Sequence, residues 1–137
     1  MEEITKRGLA VYRQLRGNAR AQSVQKAMGA TRDGTFGAAM TTLSMDFVFG
    51  RVWARDGLNR RDRSLVTLGI LIALRQTDEL RNHIRIGLTN GLTESELEEV
   101  LMQAAAYAGF PAAHAASEAA TEIFNGLNGE QVTCAAD

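Results

Sequence analysis

The sequence predicts an all-α protein, a compact helical bundle of about six helices. Three observations carry this. Apolar residues recur at three- and four-residue steps through several windows. One window opens with a capping box, Thr93-Glu94-Ser95-Glu96. No strand signal, internal repeat or low-complexity tract emerges along the chain.

Taken in order, Ile4, Val11 and Leu15 mark one stripe of an amphipathic helix over 3–15. Gly8 and Tyr12 share that face, Lys6 and Arg13 lie opposite, and Leu9 falls off the stripe. Gly17-Asn18 ends this helix, and a short second helix over 19–28 ends at Gly29. Thr31-Arg32-Asp33-Gly34 reads as a turn. From about 35 to 53 the set Phe36, Met40, Leu43, Phe47 and Gly50 predicts a helix with those residues inward. Trp53, the sole tryptophan, is either a core anchor or a wall of a ligand pocket. Residues 54–58 form a loop.

Asn59 to Asp62 reads as an N-cap with an acid in the first turn. The run Leu65 to Leu74 has only Thr67 as a polar member. As a helix it has no wet face and is expected to be buried all round, yet it is too short to cross a bilayer. After a polar break at 75–78, Leu80, Ile84, Gly87 and Leu88 form the buried stripe of another helix, capped by Thr77 and closed by Asn90-Gly91. The helix after the capping box buries Leu97, Val100, Leu101, Ala104 and Ala108. Pro111 suits the first turn of a last, alanine-rich helix over 111–125.

At 137 residues, 45% hydrophobic and 23% charged, the chain reads as one globular domain over 1–137. Residues 1–30 supply its N-terminal helices and 126–137 a flexible tail. A net charge of −1 without a basic cluster argues against nucleic acid. No signal-peptide pattern, transmembrane run or basic amphipathic helix stands out, so no membrane role and a cytoplasmic location are expected. Cys134 is the lone cysteine, and His83 and His114 are the only histidines. These provide neither a disulfide nor, by themselves, a zinc site, so no metal is expected.

Glu79 and His83 lie four apart and are neighbours on one helix surface, at the border of its buried stripe. A histidine oriented by a carboxylate can move a proton near neutral pH. A hydrogen-bonded histidine in a plain surface ion pair is the other reading.

Five words, in this order and spacing, resemble the carboxymuconolactone decarboxylase family over residues 50–122. They are Gly50-Arg51-Val52-Trp53-Ala54-Arg55-Asp56-Gly57-Leu58, Arg63-Ser64-Leu65-Val66-Thr67-Leu68, Glu79-Leu80-Arg81-Asn82-His83, Asn90-Gly91-Leu92-Thr93 and Tyr107-Ala108-Gly109-Phe110-Pro111-Ala112-Ala113. The resemblance implies the alkyl hydroperoxidase D-like helical fold and a homo-oligomer, a trimer or hexamer. The peroxidase branch of that fold carries two cysteines where this chain has Gln76 and Glu79, and thiol peroxidase chemistry needs a thiolate. Glu79 followed by His83 instead resembles the decarboxylase branch of aromatic catabolism, in the β-ketoadipate pathway. It implies cofactor-free decarboxylation of a small carboxylated lactone, 4-carboxymuconolactone. His83 and Glu79 are then the catalytic pair. Arg51, Arg55 and Arg63 are candidates to hold carboxylates, and Trp53, Ser64 and His114 candidates to line the substrate site.

This sequence departs from the family's usual words. Phe49-Gly50-Arg51 stands for Trp-Gly-Glu, Asp56 for proline, His114 for asparagine and Ser117 for an aromatic residue. A same-fold enzyme for a different lactone or carboxylated intermediate is therefore the alternative, and a non-catalytic ligand-binding helical oligomer a second one.

Overall fold

The computed structural model describes residues 1–29 and 36–135, with side chains as far as Gly129. The turn expected at 31–34 lies outside the described residues. Among the described residues every regular element is helical: α1 (Glu3–Arg16), α2 (Asn18–Gly29), α3 (Ala38–Ser44), a π-helix (Met45–Trp53), α4 (Arg60–Ala73), α5 (Thr77–Thr89), α6 (Glu94–Ala108) and α7 (Phe110–Ala135). The fold is all-α, as the sequence predicts. Contacts divide the chain into two compact units, Met1–Asn59 and Arg60–Asp137.

In the first unit α1 lies along the π-helix, and α2 packs on α1 and α3. Two glycines set how close α1 comes. A Cβ on Gly8 would collide with the Met45 carbonyl, and one on Gly50 would sit 2.7 Å from the Ile4 carbonyl oxygen. Thr5 Oγ1 donates to Asp46 Oδ1 at 2.7 Å. The rings of Tyr12 and Phe49 meet edge to face, with centroids 4.9 Å apart. Leu9, expected off the stripe, is buried with Thr5, Gly8, Val11 and Leu15. The inward face of α1 is rotated toward the 5–8–9–12 set, and Ile4 is only half-buried.

The helix expected over 35–53 is two elements, and of its expected inward residues all but Gly50 face out. Phe36, Met40, Leu43 and Phe47 are exposed, whereas Met45, Phe49, Gly50 and Trp53 are buried. Within Met45–Trp53 the reason lies in the turn. A π-helix closes i→i+5 bonds and so is wider than an α-helix. It brings Met45, Phe49 and Trp53, four residues apart, onto the side that meets α1. A period of 3.6 selects the wrong face there.

In the second unit α4, α5 and α6 all contact α7. The core is Leu68, Ile72, Leu80, Ile84, Leu92 and Leu97 against Ala112, Ala116, Ala119, Ala120 and Ile123 of α7. The apolar run of α4 is not buried all round. Leu68 and Ile72 are inside, but Val66, Ile70 and Leu74 are exposed, because α5, α6 and α7 cover one side of the helix only. On α6, Leu97 is buried, Val100, Leu101 and Ala104 are partly so, and Ala108 at the helix end is exposed. α7 runs to Ala135, past residue 125, with Gly126 and Gly129 inside it. Each added helical residue gains a backbone bond once the helix is nucleated, and no proline interrupts it.

The short connections are closed by named bonds. At the end of α4, Gln76 N–H donates to Leu71 O and Arg75 N–H to Ile72 O, with Arg75 left-handed at φ 55°. This is a Schellman closure with arginine where glycine is usual. α5 ends the same way, Leu92 N–H on Gly87 O and Gly91 N–H on Leu88 O, with Gly91 at φ 98°. Thr77, expected as the cap of α5, is instead its first residue. Gln76 holds the cap position without a side-chain bond, because the Schellman turn consumes the backbone up to it. The capping box of α6 is present in both directions, Glu96 N–H to Thr93 Oγ1 at 3.1 Å and Thr93 N–H to Glu96 Oε1 at 3.2 Å. No helix among the described residues is long and apolar enough to cross a membrane.

The glycine contacts of the first unit give a direct test. Gly8→Ala is expected to destabilise the protein by about 1–3 kcal/mol, the usual cost of overpacking, since the obstacle is a backbone carbonyl that cannot rotate away. Gly29→Ala, where nothing lies within 4 Å, is the control. Equal urea midpoints for the two variants would contradict this packing.

Candidate functional site

The residues with the clearest chemical promise lie in the first two turns of α5. Asp78 and Glu79 occupy its first turn, where the positive end of the helix favours carboxylates. One turn on, His83 Nε2 faces Glu79 Oε2 at 3.9 Å. That distance suits an ion pair but exceeds a hydrogen bond. The two side chains differ in exposure: His83 is 12% exposed and Glu79 62%. Nδ1 of His83 is buried. The imidazole thus sits against the core with Nε2 toward the carboxylate, and the carboxylate sits outside it in water.

Three further bonds hold this stretch. Asn82 Nδ2 donates to Glu79 Oε1 at 3.2 Å. On the other border of α5, Arg81 Nε donates to Glu122 Oε2 of α7 at 2.8 Å, and its second nitrogen reaches Asp78 Oδ1 at 3.0 Å. The Glu122 hydrogen bond, aided by both nearby carboxylates, holds the Arg81 guanidinium's pKa above its ordinary value. A raised cation pKa contributes stability that is present below the unfolded-state value and fades only in strong alkali, so throughout working pH Arg81 stays charged and tied to α7. Arg85 is exposed, beyond this border.

The other sequence-predicted residues fall in different places. Arg63 is half-buried on α4, with its Nε buried. Ser64 has no exposed surface, and its Oγ accepts from Asn90 Nδ2 at 2.9 Å. Asn90 also donates to Arg60 O, so it ties the end of α5 to the start of α4. That places Ser64 in the framework between two helices. His114 is exposed on α7 beside Phe110, ring centroids 6.2 Å apart. It lines a groove of about 410 Å³ between α6 and α7, with Met102, Phe110 and Glu98. Neither Glu79 nor His83 lines that groove. Arg51 and Arg55 are exposed in the first unit, and Trp53 is buried at the end of the π-helix. Among the described residues no group of three or more His, Cys, Asp or Glu side chains is placed to hold a metal ion.

Sequence reasoning found Glu79 and His83 from their i,i+4 spacing, but gave Asn82 no role and Asn90 only that of a helix stop. The signal for Asn82 was available, since a residue three positions from a carboxylate on a helix is within side-chain reach of it. Asn90 reaches across to another helix, and no spacing announces that.

Among the described residues every regular element is helical, and α5 carries a carboxylate–imidazole pair at its head and no cysteine. Residues 38–122 match the model of the carboxymuconolactone decarboxylase family, and the chain belongs to that family. It is 48% identical over 81 residues to a 4-carboxymuconolactone decarboxylase of Acinetobacter baylyi, covering 59% of this chain and 60% of the relative. It is 44% identical over 69 residues to a nitrosuccinic acid decarboxylase of Metarhizium robertsii, covering 50% and 48%. A 15.0 kDa uncharacterized protein of Paracoccus denitrificans is 30% identical over 82 residues, covering 58% and 61%. The chain therefore spans between about half and six-tenths of the length of these relatives.

If Ser64 is part of the framework, Ser64→Ala removes an acceptor from Asn90 and lowers stability by about 1 kcal/mol. Thermal unfolding of the two proteins checks this. A variant as stable as the parent would free the hydroxyl for a role in binding.

Proposed function

We propose that this chain is a cofactor-independent carboxy-lyase that converts 4-carboxymuconolactone to the β-ketoadipate enol-lactone in the cytoplasm, as a step of aromatic catabolism. The observation that carries the reading is the Glu79–His83 pair on α5, with Nε2 turned to the carboxylate. The family membership and the 48% identity to a named 4-carboxymuconolactone decarboxylase support it.

The chemistry asks for little beyond such a pair. The bond between the γ-carbon and the departing carboxylate breaks, and carbon dioxide leaves. Its electron pair spreads into the unsaturated lactone as a dienolate, so the substrate is its own electron sink. A proton must then reach carbon. His83, as imidazolium, donates it from Nε2. Glu79 stabilises the charged imidazolium beforehand and helps return a proton from water afterwards. At 3.9 Å the pair is looser than a hydrogen bond, and catalytic contacts of this kind tighten when a substrate binds. Arg63, half-buried on α4, is the second unit's candidate to hold a substrate carboxylate through its planar fork.

A second reading has its own support. The relative from Metarhizium robertsii is named for nitrosuccinic acid, a different carboxylated substrate. Arg51, Asp56, His114 and Ser117 also depart from the family's usual words. Both readings share a carbanion formed by loss of carbon dioxide and quenched by a proton.

We also infer that copies of the chain assemble through the outer face of α4, where Val66, Ile70 and Leu74 form an exposed apolar stripe. An apolar stripe of this kind on a water-facing helix marks an interaction surface.

Two experiments test these readings. Freshly generated 4-carboxymuconolactone is given to the purified protein without added metal or cofactor, and substrate loss and carbon dioxide are followed, with nitrosuccinic acid in parallel. Turnover of the lactone is expected, falling about 10²–10⁴-fold in His83→Ala, the usual worth of a positioned acid. Turnover of nitrosuccinic acid alone selects the second reading, and full activity in His83→Ala removes the histidine from the mechanism. For assembly, light scattering is expected to give a multiple of the 14.9 kDa chain mass and Ile70→Asp a smaller species. A monomeric parent protein ends that inference.

A further inference from the structure

The pair on α5 has a third member. We propose that Asn82 is a positioning residue that fixes which oxygen of Glu79 faces His83. This rests on the assignment of Glu79 and His83 to the proton-transfer site, and it names the device that holds the two in register.

Glu79 is an exposed side chain with three rotatable bonds, and left alone its carboxylate would sample many orientations in water. Its two oxygens are instead divided. Oε1 receives Asn82 Nδ2 at 3.2 Å, and Oε2 is the atom 3.9 Å from His83 Nε2. The amide must be oriented this way. Turned over, it would set its carbonyl oxygen against the carboxylate, two acceptors in contact with no proton between them.

Positions 79, 82 and 83 are i, i+3 and i+4, so the three side chains form one patch on consecutive turns of α5. Asn82 is half-buried, which limits its own movement. The backbone beneath cannot roll, because Arg81 on the opposite border is held by Glu122 of α7. With Oε1 engaged, the exposed carboxylate keeps Oε2 on the side of Nε2. A held carboxylate favours the imidazolium, the form that donates a proton. A neutral donor suits this task, for a lysine or arginine at 82 would neutralise the carboxylate that His83 needs.

The charged groups tied to this part of α5 are Asp78 and Arg81 on α5 itself and Glu122 on α7, and substitutions at 82 leave all three in place. Asn82→Ala removes the tether, and Asn82→Gln keeps an amide donor on a longer arm. The imidazole of His83 is followed by nitrogen and carbon NMR across pH, its signals assigned by their loss in His83→Ala. In Asn82→Ala the midpoint of His83 is expected to move down by about 0.3–1 pH unit, as the freed carboxylate swings into water. On whichever acid the protein turns over, kcat is expected to fall about threefold to tenfold with KM within about twofold. Asn82→Gln is expected to restore both.

An unchanged His83 midpoint in Asn82→Ala overturns the proposal, as does an Asn82→Gln variant that behaves like the alanine. The NMR arm needs no turnover. If neither acid is decarboxylated, the function reading falls, while the His83 midpoint still decides whether Asn82 sets the pair.

Discussion

The second unit is built on the small side chains of α7. Ala112, Ala116, Ala119 and Ala120, with Ile123, are the surface against which α4, α5 and α6 are laid. Alanine gives a helix a thin face, so leucines and isoleucines from the neighbours fill the space that larger side chains on α7 would claim. This contact is what makes α5 a rigid platform. Leu80 and Ile84 are pressed inward, and the opposite border of α5 is tied to α7 through Arg81 and Glu122. The angle at which Glu79 and His83 leave the helix follows from those two anchors.

Much of this unit was legible in the sequence because its signals are local. The capping box starts α6 where Thr93 and Glu96 place it, Asn90-Gly91 stops α5, and the stripe through Leu80 and Ile84 is buried. The first unit was harder to read, and one element explains most of that. The π-helix over Met45–Trp53 changes the angular step along the chain, so Phe47, which a 3.6 period selects, is exposed while Met45, Phe49 and Trp53 are buried. The run Leu65 to Leu74 misled for another reason. A wholly apolar helix implies a cover on every side, and sequence does not say that the chain itself supplies only part of it.

The candidate site was half legible. Spacing on one helix finds Glu79 and His83, and the same logic reaches Asn82 once a donor for the carboxylate is sought. Ser64 was singled out by resemblance, and the structure places it in a buried bond to Asn90 between two helices. His114 was singled out likewise, and it lies in the α6–α7 groove. Words that mark a family mix residues that hold the scaffold with residues that meet a ligand. Only partners in space separate the two kinds.

The turn between α4 and α5 has an implication for how this chain can vary in length. Arg75 and Gln76 both spend their N–H groups on the end of α4, and α5 begins at the next residue. No slack remains in which an extra residue could be absorbed. Taken up as helix at the start of α5, one would shift the side chains that follow by about 100° round the helix axis. Leu80 and Ile84 would leave the core, and the acid and the imidazole would be carried round to a different side of the unit. Lengthening is therefore closed to this connection, whereas substitution is not: the left-handed backbone at Arg75 is a conformation glycine adopts freely.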